Sequence, residues 1–115
     1  MARRGTKVDS SFAALADGKR RAVIGLLRKR PYKAGELAAA LNLEPASLSR
    51  HLRILRNAGL ITDAHPDDDA RVRLYQLNPR AFADLRSWLD EVEHFWTQQL
   101  AAFREQVERD NRGNA

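Results

Sequence analysis

Residues 48–59 limit the fold more than any other part of the chain. Three leucines fall on one side of a helix, because successive residues turn by about 100°: Leu48, Leu52 and Leu55. Arg50 and Arg53 lie nearly opposite them. Such a helix buries its leucines in a core and leaves its arginines, which carry forked hydrogen-bond donors, at the surface.

The residues before this helix predict a helix-turn-helix. Residues 34–41 have apolar positions at helical spacing, and Asn42 is a residue type that ends helices because it tolerates a left-handed backbone. Pro45 suits the first turn of the next helix, and Gly59 suits its end. In a helix-turn-helix the first helix braces the second, which presents side chains to the major groove of DNA.

Two short strands are predicted next, over residues 60–65 and 72–77, around an acidic turn at residues 66–69. Arg71 and Arg73 alternate with apolar residues, which places charge on one side of the hairpin. The fold class is therefore mainly α with a small β-hairpin, a winged helix-turn-helix. Such a wing can reach neighbouring phosphates or a minor groove.

The charge is unevenly distributed along the chain. Residues 1–80 contain 16 Lys/Arg and 8 Asp/Glu, whereas residues 81–115 contain 4 and 7. The first part favours a polyanionic partner, here double-stranded DNA, over a merely solvated basic surface. The chain has no cysteine, and we expect no membrane segment and a cytoplasmic location.

The last third of the chain predicts a long helix that needs a partner. Its apolar residues recur at three- and four-residue steps over about 30 residues, longer than one small domain covers. We expect a homodimer through the terminal helices, with this interface: Phe12, Leu15, Leu85, Leu89, Val92, Trp96, Leu100 and Phe103. The alternative is that this helix packs only within its own core.

The chain is predicted to have four parts. Residues 1–9 are a flexible basic arm, followed by a DNA-binding domain over residues 10–78, in which Ser10 or Ser11 caps the first helix. Residues 79–110 are the dimerisation helix, and residues 111–115 are a disordered tail.

Several motifs together resemble one family. They are Leu15-Ala-Asp-Gly-Lys-Arg-Arg21, Gly35-Glu-Leu-Ala-Ala-Ala-Leu41, Ser47-Leu-Ser-Arg-His-Leu52, Leu55-Arg-Asn-Ala-Gly-Leu-Ile61 and Leu74-Tyr-Gln-Leu-Asn78. Over about residues 10–107 the chain is similar to the arsenic-repressor (ArsR/SmtB-type) family, which comprises bacterial winged-helix transcriptional repressors that act as homodimers. The resemblance is to the subset without a recognised metal site.

The resemblance implies which residues contact DNA. Together with the arginine face of the helix, it gives these candidates in the recognition helix: Ser47, Ser49, Arg50, His51 and Arg53. Arg71 and Arg73 are the candidates in the wing. His51 has a second interpretation, as a structural histidine. Glu44 departs from the family, in which serine often caps this helix, and glutamate puts negative charge near the DNA.

Metal sensing is not expected from these residues. Arsenite-sensing relatives use a cysteine pair, and this chain has no cysteine. The zinc pattern of another class falls on Val92, His94, Glu105 and Glu108, so two of its four ligand types match. Residues 67–69 lack the ligand spacing of a calcium loop and suit a solvated turn. We expect neither a metal site nor a cofactor.

An enzyme is not expected either. Ser49 and His51 point in different directions on a helix and cannot pair as nucleophile and base. The sequence therefore predicts a sequence-specific DNA-binding repressor that acts as a homodimer on a pseudo-palindromic operator. Two alternatives remain open: a ligand- or metal-sensing variant with an effector site at the dimer helices, and a winged helix used for protein–protein assembly.

Overall fold

The computed structural model describes residues 2–113. Its helices are α1 (Ala2–Leu15), α2 (Gly18–Leu27), α3 (Ala34–Leu41), α4 (Pro45–Asn57) and α5 (Pro79–Gly113). Its strands are β1 (Tyr32–Lys33), β2 (Ile61–Ala64) and β3 (Leu74–Leu77). The chain divides between Ala83 and Asp84 into two units. The first contains the helix-turn-helix and the sheet, and the second is the greater part of α5.

The core of the first unit is built around α4. The prediction that one side of this helix is buried is confirmed for its three leucines: Leu48, Leu52 and Leu55. Val23 of α2, Leu37 of α3, and Leu60 and Ile61 after α4 are buried as well. Burying each such side chain stabilises the fold by about 1.5–3 kcal/mol, so the buried side of α4 fixes which of its residues face outward.

The end of α3 and both ends of α4 follow from local chemistry, as predicted. Asn42 adopts the left-handed conformation (φ 53°) that ends α3, and Pro45 opens α4. Beyond α4, Gly59 has a φ of 79°. Its N–H donates to the Arg56 carbonyl at 2.9 Å, and the Leu60 N–H donates to the Leu55 carbonyl at 3.0 Å. This pair of bonds is the Schellman motif, which favours glycine at the left-handed position.

The wing is an antiparallel hairpin to which a third strand is added. Strands β2 and β3 pair with each other, with Ile61 opposite Leu77 at one end and Ala64 opposite Leu74 at the other. Both strands are therefore shorter than predicted. Strand β1 pairs with the other edge of β3, with Tyr32 opposite Tyr75, which gives the sheet order β1-β3-β2. Strand β1 was not predicted, because two residues after a proline carry no periodic pattern.

The first helix corrects the prediction of a flexible arm over residues 1–9. Helix α1 begins at Ala2, and Ser11 is a buried residue within it rather than a cap. Val8, Ser11 and Ala14 are all buried, and their three-residue spacing forms one side of the helix. Val8 therefore extends the apolar pattern further toward the N-terminus than predicted. Met1 lies outside the described residues.

The last helix extends beyond the predicted residues 79–110. Asn78 caps it, with its side-chain oxygen accepting the Arg80 N–H at 3.2 Å. The helix continues for 35 residues, which at a rise of 1.5 Å is about 52 Å. Three residues of the predicted disordered tail, 111–113, are thus helical, and residues 114 and 115 lie outside the described part. In the described range no helix is apolar enough over a sufficient length to cross a bilayer.

Candidate nucleic-acid interface

The arrangement of α3 and α4 confirms the predicted helix-turn-helix. The two helices pack against each other and are joined by the three residues Asn42–Glu44. Glu44 takes the N-cap position of α4, but its side chain makes no capping hydrogen bond. The hairpin of β2 and β3 follows α4 directly in the chain, as in a winged helix-turn-helix.

The outer side of α4 carries positive charge that the protein itself does not neutralise. Arg50 and Arg53 are exposed, and neither side chain has an ion pair or hydrogen bond with any residue the structure describes. Ser49 is also exposed, and Ser47 is half-buried. Each guanidinium group offers five N–H donors in a planar fork that matches phosphate oxygens or the guanine edge. This side of α4 can therefore bind an acceptor-rich polyanion.

His51 of α4 contacts a side chain of α2. Its Nδ1 lies 3.3 Å from Nη1 of Arg20, and the ring is half-buried. Because a guanidinium group can only donate, Nδ1 must be the acceptor, which leaves the proton of the neutral ring on Nε2. The contact supports the structural interpretation of His51. The ring keeps one donor, Nε2–H, for any further partner.

Arg20 connects the end of α1 to α4. Its Nε donates to the Ala14 carbonyl at 2.6 Å, and Nη2 donates to the Ala13 carbonyl at 3.5 Å. Asp17 caps α2, and the hydrogen bond from the Lys19 backbone N–H lowers the pKa of its carboxyl group. Arg20 was not predicted as a site residue, because its partner His51 lies 31 residues away.

Asp63 joins the recognition helix to the wing. Its Oδ2 accepts a hydrogen bond from Nε of Arg73 at 2.8 Å, and its Oδ1 lies 3.3 Å from Nε of Arg56. Burial raises the pKa of the Asp63 carboxyl, but the hydrogen bond from Arg73 and the charges of both arginines outweigh it and lower the pKa overall. Arg73, predicted as a DNA-contacting residue of the wing, is therefore ion-paired within the chain. Arg56 and Asp63 were not predicted as site residues.

The hairpin register contained a signal for the Asp63–Arg73 pair. Asp63 is opposite Tyr75, so Arg73, two residues earlier on the other arm, is its diagonal neighbour on the same side. The Arg73 guanidinium also lies 5.0 Å from the centre of the Tyr75 ring, within the range of a cation–π interaction.

The tip of the wing contains the acidic turn. Asp67 and Asp68 are exposed and both adopt left-handed φ values, of 56° and 55°. Asp69 accepts hydrogen bonds from the backbone and side chain of Arg71, which lower the pKa of its carboxyl group. The Arg71 side chain is 91% exposed, compared with 42% for the Arg73 side chain.

Acidic and histidine side chains do not gather into a metal site in the described range, where no group of three such residues could hold an ion. His94, Glu105 and Glu108 are exposed along α5.

The predicted dimer residues differ in how far the single chain covers them. Leu85 is buried and Leu15 is half-buried. Six others are exposed: Phe12, Leu89, Val92, Trp96, Leu100 and Phe103. The same face of α5 also exposes Trp88, Phe95 and Val107, and every residue from 86 to 113 is exposed. The second unit thus presents a continuous apolar stripe.

Comparisons with known proteins agree with this geometry. The model of the arsR family of bacterial regulatory proteins matches residues 17–63. The match begins at Asp17, which caps α2, and ends at Asp63, which links α4 to the wing. The HTH-type transcriptional regulator Rv2034 of Mycobacterium tuberculosis is 39% identical over 100 residues, covering 87% of this chain and 88% of the relative. The transcriptional repressor SdpR of Bacillus subtilis is 30% identical over 82 residues, covering 71% of this chain and 88% of that relative.

Solved structures have the same architecture. The crystal structure of the ArsR family transcriptional regulator RHA00566 aligns with a TM-score of 0.72 at 30% identity, covering 81% of this chain and 93% of that one. This chain belongs to the arsR family of bacterial regulatory proteins.

Proposed function

We propose that the protein is a sequence-specific repressor that binds a pseudo-palindromic operator as a homodimer in the cytoplasm. The observation that carries the proposal is the outer side of α4, where Arg50 and Arg53 are exposed and have no partner among the described residues. An unpaired arginine face on a helix held by a buried leucine side suits the major groove. The family membership and the repressor among the relatives support the regulatory role.

Individual residues take different roles in this proposal. Arg50 contacts a guanine edge through two hydrogen bonds, and Arg53 contacts the backbone or a base. Ser47, Ser49 and the Nε2–H of His51 donate to phosphates or base edges near the first turns of α4. Arg71 and Arg73 contact the backbone from the wing.

The homodimer rests on the apolar stripe of α5. A stripe that includes two exposed tryptophans and two exposed phenylalanines is larger than a monomer in water tolerates. A second copy of the same helix would cover it with two-fold symmetry. Such a dimer presents two recognition helices about 34 Å apart, one turn of DNA.

The experiment that tests the function starts from a random pool of duplexes. Selection with the full-length protein should enrich an inverted repeat whose half-sites are about 10 base pairs apart. In a shift assay on that duplex, log K should fall linearly with log salt. About 6–10 phosphate contacts would cost about 10³–10⁵ in affinity between 50 and 200 mM salt. Binding that is indifferent to salt, with no sequence enriched, would instead favour a protein–protein assembly module.

A further inference from the structure

We propose that Arg56 and Arg73, held by Asp63, form a clamp for one backbone phosphate of DNA at the junction of the recognition helix and the wing. The proposal deepens the proposed function and rests on it. It adds Arg56, in the last turn of α4, to the residues that bind DNA, and it gives Asp63 a positioning role.

The two guanidinium groups lie against the same carboxylate. They come from different elements, α4 and the residue before β3, yet their Nε atoms lie 3.3 Å and 2.8 Å from the two oxygens of one carboxylate. The Asp63 side chain is only 13% exposed, whereas Arg56 and Arg73 remain 52% and 42% exposed. One mostly covered acid thus holds two arginines at the surface.

Both arginines keep terminal N–H donors that no described residue uses. The hydrogen bond between Arg73 and Asp63 uses Nε. In the described part of the chain, the Nη atoms of both arginines make no hydrogen bond. Each guanidinium therefore retains its terminal N–H groups, which are the donors that bind phosphate oxygens in pairs.

The net charge of the three side chains also suits a phosphate. Two guanidinium groups and one carboxylate leave a formal charge of +1, which complements the single negative charge of a phosphodiester. Asp63 also repels that phosphate, so its net effect depends on whether orientation or repulsion dominates. Arginines already held in place lose less conformational freedom on binding, and this favours orientation.

The test compares salt slopes on the selected duplex. Arg56→Ala should reduce the slope by about two units, one for each protomer of the dimer, and weaken binding to operator and unrelated duplexes alike. Arg73→Ala should do the same. The double variant should also lose about two units rather than four, because in each protomer both arginines hold the same phosphate. Arg112→Ala, which removes an exposed arginine from the last turn of α5, is the matched control and should leave the slope unchanged.

Asp63→Asn separates positioning from simple charge. The substitution removes a negative charge, so repulsion alone predicts tighter binding and a steeper slope. The clamp predicts weaker binding and a shallower slope in a variant that remains folded. The clamp is wrong if Arg56→Ala behaves like Arg112→Ala while the wild type binds DNA normally, and the proposed function then stands. If the wild type shows no salt-dependent binding, both fail.

Discussion

Replacing Leu89 and Trp96 together with aspartate should convert the protein from a dimer into a monomer or an aggregating chain. Both side chains lie on the apolar stripe of α5 and are 51% and 59% exposed in the single chain. In the proposed dimer each aspartate would be buried in an apolar seam, at a cost of several kcal/mol unless it is paired. Sedimentation equilibrium of the wild type and the variant measures the change.

A matched control lies on the opposite side of the same helix. Ser87→Asp with Gln98→Asp adds the same charge at exposed polar positions, and it should leave the dimer intact. The assignment of α5 as the dimer helix would be contradicted by a monomeric wild type, or by a Leu89/Trp96 variant that remains a dimer. The monomeric variant should also bind the operator weakly, because it loses the effective concentration of the second half-site.

Arg50→Ala should weaken binding to the selected operator by about 1–3 kcal/mol for each half-site while leaving the dimer unchanged. Arg50 is exposed opposite the buried leucines, and no described residue competes for its donors. The loss should be confined to the operator, with unrelated duplexes affected much less. Fluorescence anisotropy with both duplexes at one salt concentration measures the difference.

Arg50→Lys is the informative companion of this variant. Lysine keeps the charge but lacks the planar fork, so operator affinity should fall while the salt slope stays near that of the wild type. If Arg50→Ala binds the operator as tightly as the wild type does, Arg50 does not read the sequence.

Local chemistry explains why much of the fold could be predicted. Asn42, Pro45 and Gly59 each act within a few residues of their own position, and the structure has all three in the predicted roles. The leucine spacing of α4 is likewise a local property. Strand β1 is different, because it consists of two residues that are ordered by pairing with β3.

The candidate site was less predictable because its contacts join distant residues. Arg20 reaches His51 across 31 positions, and Asp63 is bound by arginines from both α4 and the wing. The alternation of the hairpin correctly indicated that charge lies on it, but not that each wing arginine pairs with an aspartate. Arg73 pairs with Asp63, and Arg71 pairs with Asp69. Pairing of this kind depends on which side chains the folded chain brings together.

The most direct test of a symmetric DNA-binding dimer is the affinity of the wild type for the selected inverted repeat before and after five base pairs are inserted between its half-sites. Five base pairs are about half a turn, so the insertion moves one half-site to the opposite side of the duplex. A dimer joined through α5 cannot then place both recognition helices in the major groove, and affinity should fall to that of a single half-site. Equal affinity for the two duplexes would contradict the proposed symmetric DNA-binding dimer.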